Sequence, residues 1–119
     1  MKKIKKIDAA CAVCALQYCS GIDEDTVLRV CAMHGFAAGE GMTDHEWKDA
    51  ASDLKLSLKR VKTDNCTLRQ FIRKYPLGLY LVGTFDHLFA VDNGIVADPR
   101  NDTRPGLGRI IKQGWLVVK

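Results

Sequence analysis

Long apolar stretches are missing from this chain. The longest runs, Ala9 to Leu16 and Leu79 to Gly83, fall far short of the ~20 residues a membrane-spanning helix needs. A secretory signal is missing as well. Met1-Lys2-Lys3-Ile4-Lys5-Lys6 is basic, as such a segment begins, but Gln17 and Tyr18 cut the following apolar run short and no cleavage-type site appears. A cytoplasmic protein with no membrane partner is expected. Internal repeats, low-complexity stretches and a Pro/Ser-rich linker are also lacking, and the chain has only 3 prolines. Its 119 residues are one domain's length, so residues 1–119 are expected to form a single unit.

An even cysteine count is absent. Five cysteines without an export signal argue for reduced thiols rather than a disulfide framework. Cys11-Ala12-Val13-Cys14 has no second CxxC or HxxxH at ligand spacing to complete a zinc site with His34 or Cys31. No strand precedes it, which argues against a thioredoxin-type redox pair. No metal and no cofactor are expected. Phosphate loops are lacking too: Gly39-Glu40-Gly41 is not followed by Lys-Ser/Thr, and Pro105-Gly106-Leu107-Gly108 precedes a strand.

What is present is ordinary globular composition, 47% hydrophobic and 27% charged. The net charge of +4 conceals a segregation. Ile22 to Leu54 holds eight acids against Arg29 and Lys48, a balance of −6, and the remainder carries +10. Those bases are spread along the chain instead of being interleaved with aromatics, so a nucleic-acid partner is not expected.

The first half reads helical. Asp8 is an N-cap candidate for a helix from Ala9 to Cys19, stopped at Ser20-Gly21. This helix is apolar all round, as a central buried helix would be. Asp23-Glu24-Asp25 opens a second helix whose buried side is Val27, Leu28, Val30, Cys31 and Met33, ended by Gly35. Phe36 to Met42 reads as a loop, and Thr43-Asp44-His45-Glu46 is a capping-box pattern for a third helix to about Leu54. Period-2 alternation then marks a strand over Leu56 to Lys62. Thr67 to Tyr75 is a short helix with Leu68, Phe71 and Ile72 inward. Strands follow at Leu79 to Phe85, His87 to Asp92, Ile95 to Asp98 and Arg109 to Val118. Asn93-Gly94 is the strongest short hairpin signal, a type I′ turn. The fold class is α+β: N-terminal helices, with the central buried one carrying Cys11, packed on one side of a C-terminal antiparallel meander.

Taking Asn93-Gly94 as a two-residue loop pairs Asp92 with Ile95, Phe89 with Asp98 and His87 with Arg100. His87 and Asp98 then share a face as diagonal neighbours, with backbones ~7–8 Å apart. An Asp there orients the imidazole and stabilises its protonated form. Cys11 lies in the first turn of the buried helix, where the dipole and free N–H groups favour negative charge on sulfur. Cys11, His87 and Asp98 are therefore the candidate catalytic residues. Cys14, Cys19 and Cys66 read as packing. His34 and His45 lack such partners, Arg100, Arg104 and Arg109 read as solvated loop charges, and Trp47 and Trp115 as core or rim aromatics.

Cys11-Ala12-Val13-Cys14-Ala15-Leu16, the Ser20-Gly21 stop and the acidic start of the next helix resemble the opening of small papain-like cysteine peptidases. The nearest likeness is to short phage-encoded members and to double-glycine leader peptidases. Thr84 to Gly94 and Ala97-Asp98-Pro99 resemble the same group's His and Asp-Pro strands. The order of elements agrees over nearly the whole chain. The resemblance implies a papain-like fold and a thiol peptidase or amidohydrolase that cleaves a peptide or protein substrate. Cys11 would be the nucleophile, His87 the general base and acid, and Asp98 the orienting residue. If phage-encoded, it would act in the host cytoplasm. Papain-like peptidases place a Gln several residues before the Cys; here Lys5, Lys6 and Ile7 stand there and no Gln precedes Cys11. That departure motivates a second reading, a catalytically inactive papain-like module that binds a host or viral protein.

Overall fold

The computed structural model describes residues 9–35, 42–84, 87–97 and 108–118. The expected Asp8 cap, the Gly39–Gly41 loop, Asp98, Arg100 and Arg104 lie outside them.

The apolar helix does find neighbours on several sides. Helix α1 (Ala9–Ser20) buries Ala12, Leu16 and Cys19 completely, and Cys11, Val13 and Ala15 almost so. Gly21 ends it at φ 71°, with its N–H donating to the Gln17 carbonyl at 2.9 Å, a left-handed closure that costs glycine little. Helix α2 (Glu24–Met33) is capped by Asp23, whose carboxylate accepts from the Thr26 N–H at 3.0 Å. Its buried stripe is narrower than expected. Val27 and Cys31, one turn apart, are buried, whereas Met33 is 75% exposed. In helix α3 (Asp44–Asp53) both capping-box bonds form, Glu46 N–H to Thr43 Oγ1 at 3.2 Å and Thr43 N–H to Glu46 Oε1 at 2.8 Å.

Strands β1 (Ser57–Val61), β2 (Leu79–Gly83), β3 (Leu88–Asp92), β4 (Ile95–Ala97) and β5 (Gln113–Val118) form one antiparallel sheet in the order β1-β5-β2-β3-β4. This corrects the meander. The C-terminal strand enters the sheet between β1 and β2 instead of closing its edge. Its sequence explains the position: β5 is apolar on both faces (Trp115 and Val117, with Leu116 between them), which suits an interior strand. β1 carries Lys59 and Arg60, which suit an edge. Residues before Gln113 do not extend β5. They bond the approach to helix α4 (Leu68–Lys74), with the Leu68 N–H on the Arg109 carbonyl and the Ile111 N–H on the Cys66 carbonyl.

The expectation of helices on one side is corrected too. Leu81, Leu88, Ala90, Trp115 and Val117 pack with α1, α2 and α3. Tyr80, Val82, Phe89 and Val91 pack on the opposite face with Leu68, Phe71 and Ile111. Alternate residues of β2 and β3 are thus apolar in both directions, and a sheet with two apolar faces needs a cover on each. Helix α4 is the second cover. No helix among the described residues is long and apolar enough to cross a membrane.

Candidate active site

Helix α1 lies over β3 and runs in the same direction. Two side-chain contacts fix that alignment. At the start of β3, Cys11 Sγ lies 2.7 Å from His87 Nδ1; at its end, the Tyr18 hydroxyl donates to Asp92 Oδ2 at 2.7 Å. From Cys11 to Tyr18 the helix rises about 10 Å, while His87 to Asp92 spans about 17 Å of strand. The long Tyr18 side chain makes up the difference. The bond to Asp92 also holds the Tyr18 hydroxyl above its ordinary pKa of 10.0, because the carboxylate stabilises the protonated form.

Cys11 is the third residue of α1 and 4% exposed. The first N–H groups of a helix have no partners within it, and their summed dipole favours an anion beside them. The sequence therefore delivers a thiol to a place suited to a thiolate.

His87 stands one residue before β3. Gly83 and Leu88 are the last paired residues of the β2–β3 hairpin. Beyond them the Thr84 N–H donates to the His87 carbonyl at 2.9 Å, and the Thr84 hydroxyl donates to the same oxygen at 3.4 Å. Only Phe85 and Asp86 separate the two. The His87 ring stacks on Phe89, with centroids 5.4 Å apart and planes at 26°. Because His87 precedes the paired strand, its Nδ1 still reaches Cys11 on the α1 side of the sheet, although Phe89 itself packs on the α4 side. Thr84 and His87 are the buried polar residues of the described chain. A buried polar side chain is retained where a partner satisfies it, and His87 has such a partner in Cys11. With Nδ1 on the thiol, Nε2 is the ring nitrogen that a separate acceptor would orient.

The Asn93-Gly94 turn forms as expected, with φ values of 50° and 80°, the doubly positive pattern of a type I′ loop. Asn93 also clips the turn to the start of β2: its N–H donates to the Gly78 carbonyl at 2.8 Å and its Oδ1 accepts from the Gly78 N–H at 2.7 Å. The register is Asp92 opposite Ile95, Val91 opposite Val96 and Ala90 opposite Ala97. This is the register from which Asp98 was assigned, as far as the last described residue of that strand. The structure thus brings Cys11 and His87 together, while Asp98 lies outside the described residues.

The remaining candidates have other duties. His34 Nε2 meets Asp53 Oδ2 at 2.6 Å, tying α2 to α3, and His45 meets Asp49 one turn along at 3.2 Å on an exposed surface. None of the five cysteines is in a disulfide. Cys31 is fully buried, which pushes its thiol up to about 11, and burial also raises Cys66. Trp47 and Trp115 meet edge to face at 4.9 Å in the core. Among the described residues no group of His, Cys, Asp or Glu is placed to hold a metal ion.

Two features escaped the sequence reading, the Thr84 clamp on His87 and the Tyr18–Asp92 latch. The first had a signal. Two residues between Thr84 and His87 is a hairpin-loop length, but Phe85 reads as a continuation of the apolar strand. The second had none, because it joins residues 74 positions apart. No protein-family model, curated protein or solved structure matches this chain.

Proposed function

We propose that this chain is a papain-like thiol hydrolase acting on a peptide or amide bond. The observation that carries this reading is the buried 2.7 Å contact between Cys11 Sγ and His87 Nδ1, made at a helix N-terminus. A nucleophile within hydrogen-bond reach of a base is the arrangement that covalent catalysis requires. His87 takes the Cys11 proton, and the thiolate adds to the substrate carbonyl. The imidazolium then protonates the leaving amine. Water, deprotonated by His87, releases the acyl group from sulfur. Backbone N–H groups in the first turn of α1 are the candidate donors to the oxyanion, in place of the Gln this chain lacks. Asp98 is assigned to orient the ring on the strength of the family resemblance.

Acylation by p-nitrophenyl acetate, followed by intact mass and peptide mapping, tests the proposal. An acetyl group on Cys11 that then discharges to water, and that is absent in His87→Ala, is the expected result. Acetylation spread over Cys14 and Cys66 with Cys11 unmodified would refute it. A stable, undischarged adduct would favour the binding-module reading.

A further inference from the structure

Cys11 has a second sulfur one turn along its own helix. Cys14 is partly exposed and borders a surface pocket of about 390 Å³ with Gln17, Tyr18, Gly21, Ile22 and Asp23. In a regular helix, residues three apart have Cα atoms about 5 Å apart, within the roughly 4.4–6.8 Å a disulfide spans. Their Cβ atoms, about 5–6 Å apart, must close to roughly 3.8 Å. That closure requires the helical turn to tighten, and Cys11 sits where it can, two residues from the start of α1 at Ala9. The other thiols are poorly placed to compete. Cys19 and Cys31 are fully buried, and burial raises the thiols of Cys31 and Cys66, which disfavours the thiolate at both.

We propose that Cys11 and Cys14 form a peroxide-oxidisable dithiol whose disulfide removes Cys11 from His87. The His87-paired Cys11 thiolate attacks one oxygen of hydrogen peroxide and the O–O bond breaks. The departing hydroxide takes the imidazolium proton, leaving a sulfenic acid and one water. The Cys14 sulfur then attacks the Cys11 sulfur. The S–O bond breaks, and hydroxide leaves with the Cys14 proton as a second water. Two thiols and one peroxide thus give one disulfide and two waters. The bond draws Cys11 Sγ along the helix and away from His87 Nδ1. A geometry that must tighten a helical turn is readily reduced by an added dithiol, so the change is reversible. The inference shares the Cys11–His87 contact with the proposed function but not its carbonyl chemistry.

The test treats the full-length chain with stoichiometric hydrogen peroxide and then alkylates it in denaturant. The tryptic peptide Ile7 to Arg29, which contains Cys11, Cys14 and Cys19, is sequenced by mass spectrometry. The expected peptide has lost two hydrogens, carries its only alkyl group on Cys19, and regains both thiols with dithiothreitol. In Cys14→Ser, dimedone should trap a sulfenic acid at Cys11, and sulfinic acid should accumulate there at least about tenfold more than in the wild type. Oxidation of Cys66 ahead of Cys11, a bond from Cys14 to Cys19, or equal sulfinic acid with and without Cys14 would each overturn the proposal. Disulfide formation in a chain that p-nitrophenyl acetate never acylates would leave this inference standing and sink the hydrolase reading alone.

Discussion

Cys11 Sγ and His87 Nδ1 lie 2.7 Å apart and buried, although 76 positions separate them in the chain. The contact is held from both partners. α1 is aligned on β3 by the Tyr18–Asp92 bond, and the His87 backbone is fixed by Thr84. Loosening either support should be felt at the thiol before it is felt in the fold.

Thr84→Val keeps the backbone bond to His87 and removes the hydroxyl, whereas Thr84→Ser keeps both. The valine variant is expected to lose about 0.5–1.5 kcal/mol in a urea titration. It should also slow Cys11 alkylation severalfold, with Ser restoring the rate. A loss of stability with no change in Cys11 reactivity would make Thr84 a structural residue only.

Tyr18→Phe removes the link at the far end of β3. The site is exposed, so a stability loss of no more than about 1 kcal/mol is expected. Spectrophotometric titration gives a further check. Three tyrosines are present. The Asp92 bond raises Tyr18 and burial raises Tyr80, so the variant should show one raised tyrosine where wild type shows two.

Asn93→Ala should destabilise by about 1–2 kcal/mol. It puts a Cβ-bearing residue without a local hydrogen bond at φ 50° and deletes the acceptor for the Gly78 N–H. Asn93→Gly removes the acceptor but restores the backbone freedom, so it should lose less. An alanine variant as stable as wild type would mean that this turn does not set the β3–β4 register.

Asp23 accepts from both the N–H and the hydroxyl of Thr26, and these bonds hold its carboxyl below the ordinary 3.8. A carboxyl depressed in the folded state contributes stability at pH values above its unfolded pKa. That contribution disappears as pH falls through the folded value. The stability difference between wild type and Asp23→Ala should therefore be largest near neutrality and shrink in acid, below about pH 4. A difference that stays constant with pH would contradict the assigned cap.

Much of this arrangement could be read locally. The Thr43–Glu46 box, the Asn93-Gly94 turn and the mostly apolar α1 each follow from a few adjacent residues. The β3–β4 register, from Asp92 opposite Ile95 to Ala90 opposite Ala97, follows from the turn by counting. The place of β5 between β1 and β2 does not, because strand order is decided by which strands tolerate burial on both faces. Only the contrast between Lys59-Arg60 and Trp115–Val117 hints at it. The side taken by α4 was hidden for a similar reason: a single amphipathic helix fits either face of a sheet that is apolar on both. At the site, Cys11 and His87 were legible as chemistry-bearing residues. Their supports at Thr84 and Tyr18 were not, because a threonine beside a strand and a tyrosine on a helix have many possible uses.

The central claim is that His87 activates Cys11. Its most direct test is the site-resolved rate of iodoacetamide alkylation at Cys11 and Cys66 between about pH 5 and 9, in wild type and His87→Ala. A thiolate paired with imidazolium predicts that Cys11 reacts at least about tenfold faster than Cys66 near pH 6–7, and that His87→Ala abolishes the advantage. Equal rates at the two cysteines, or a Cys11 rate indifferent to His87, would contradict it.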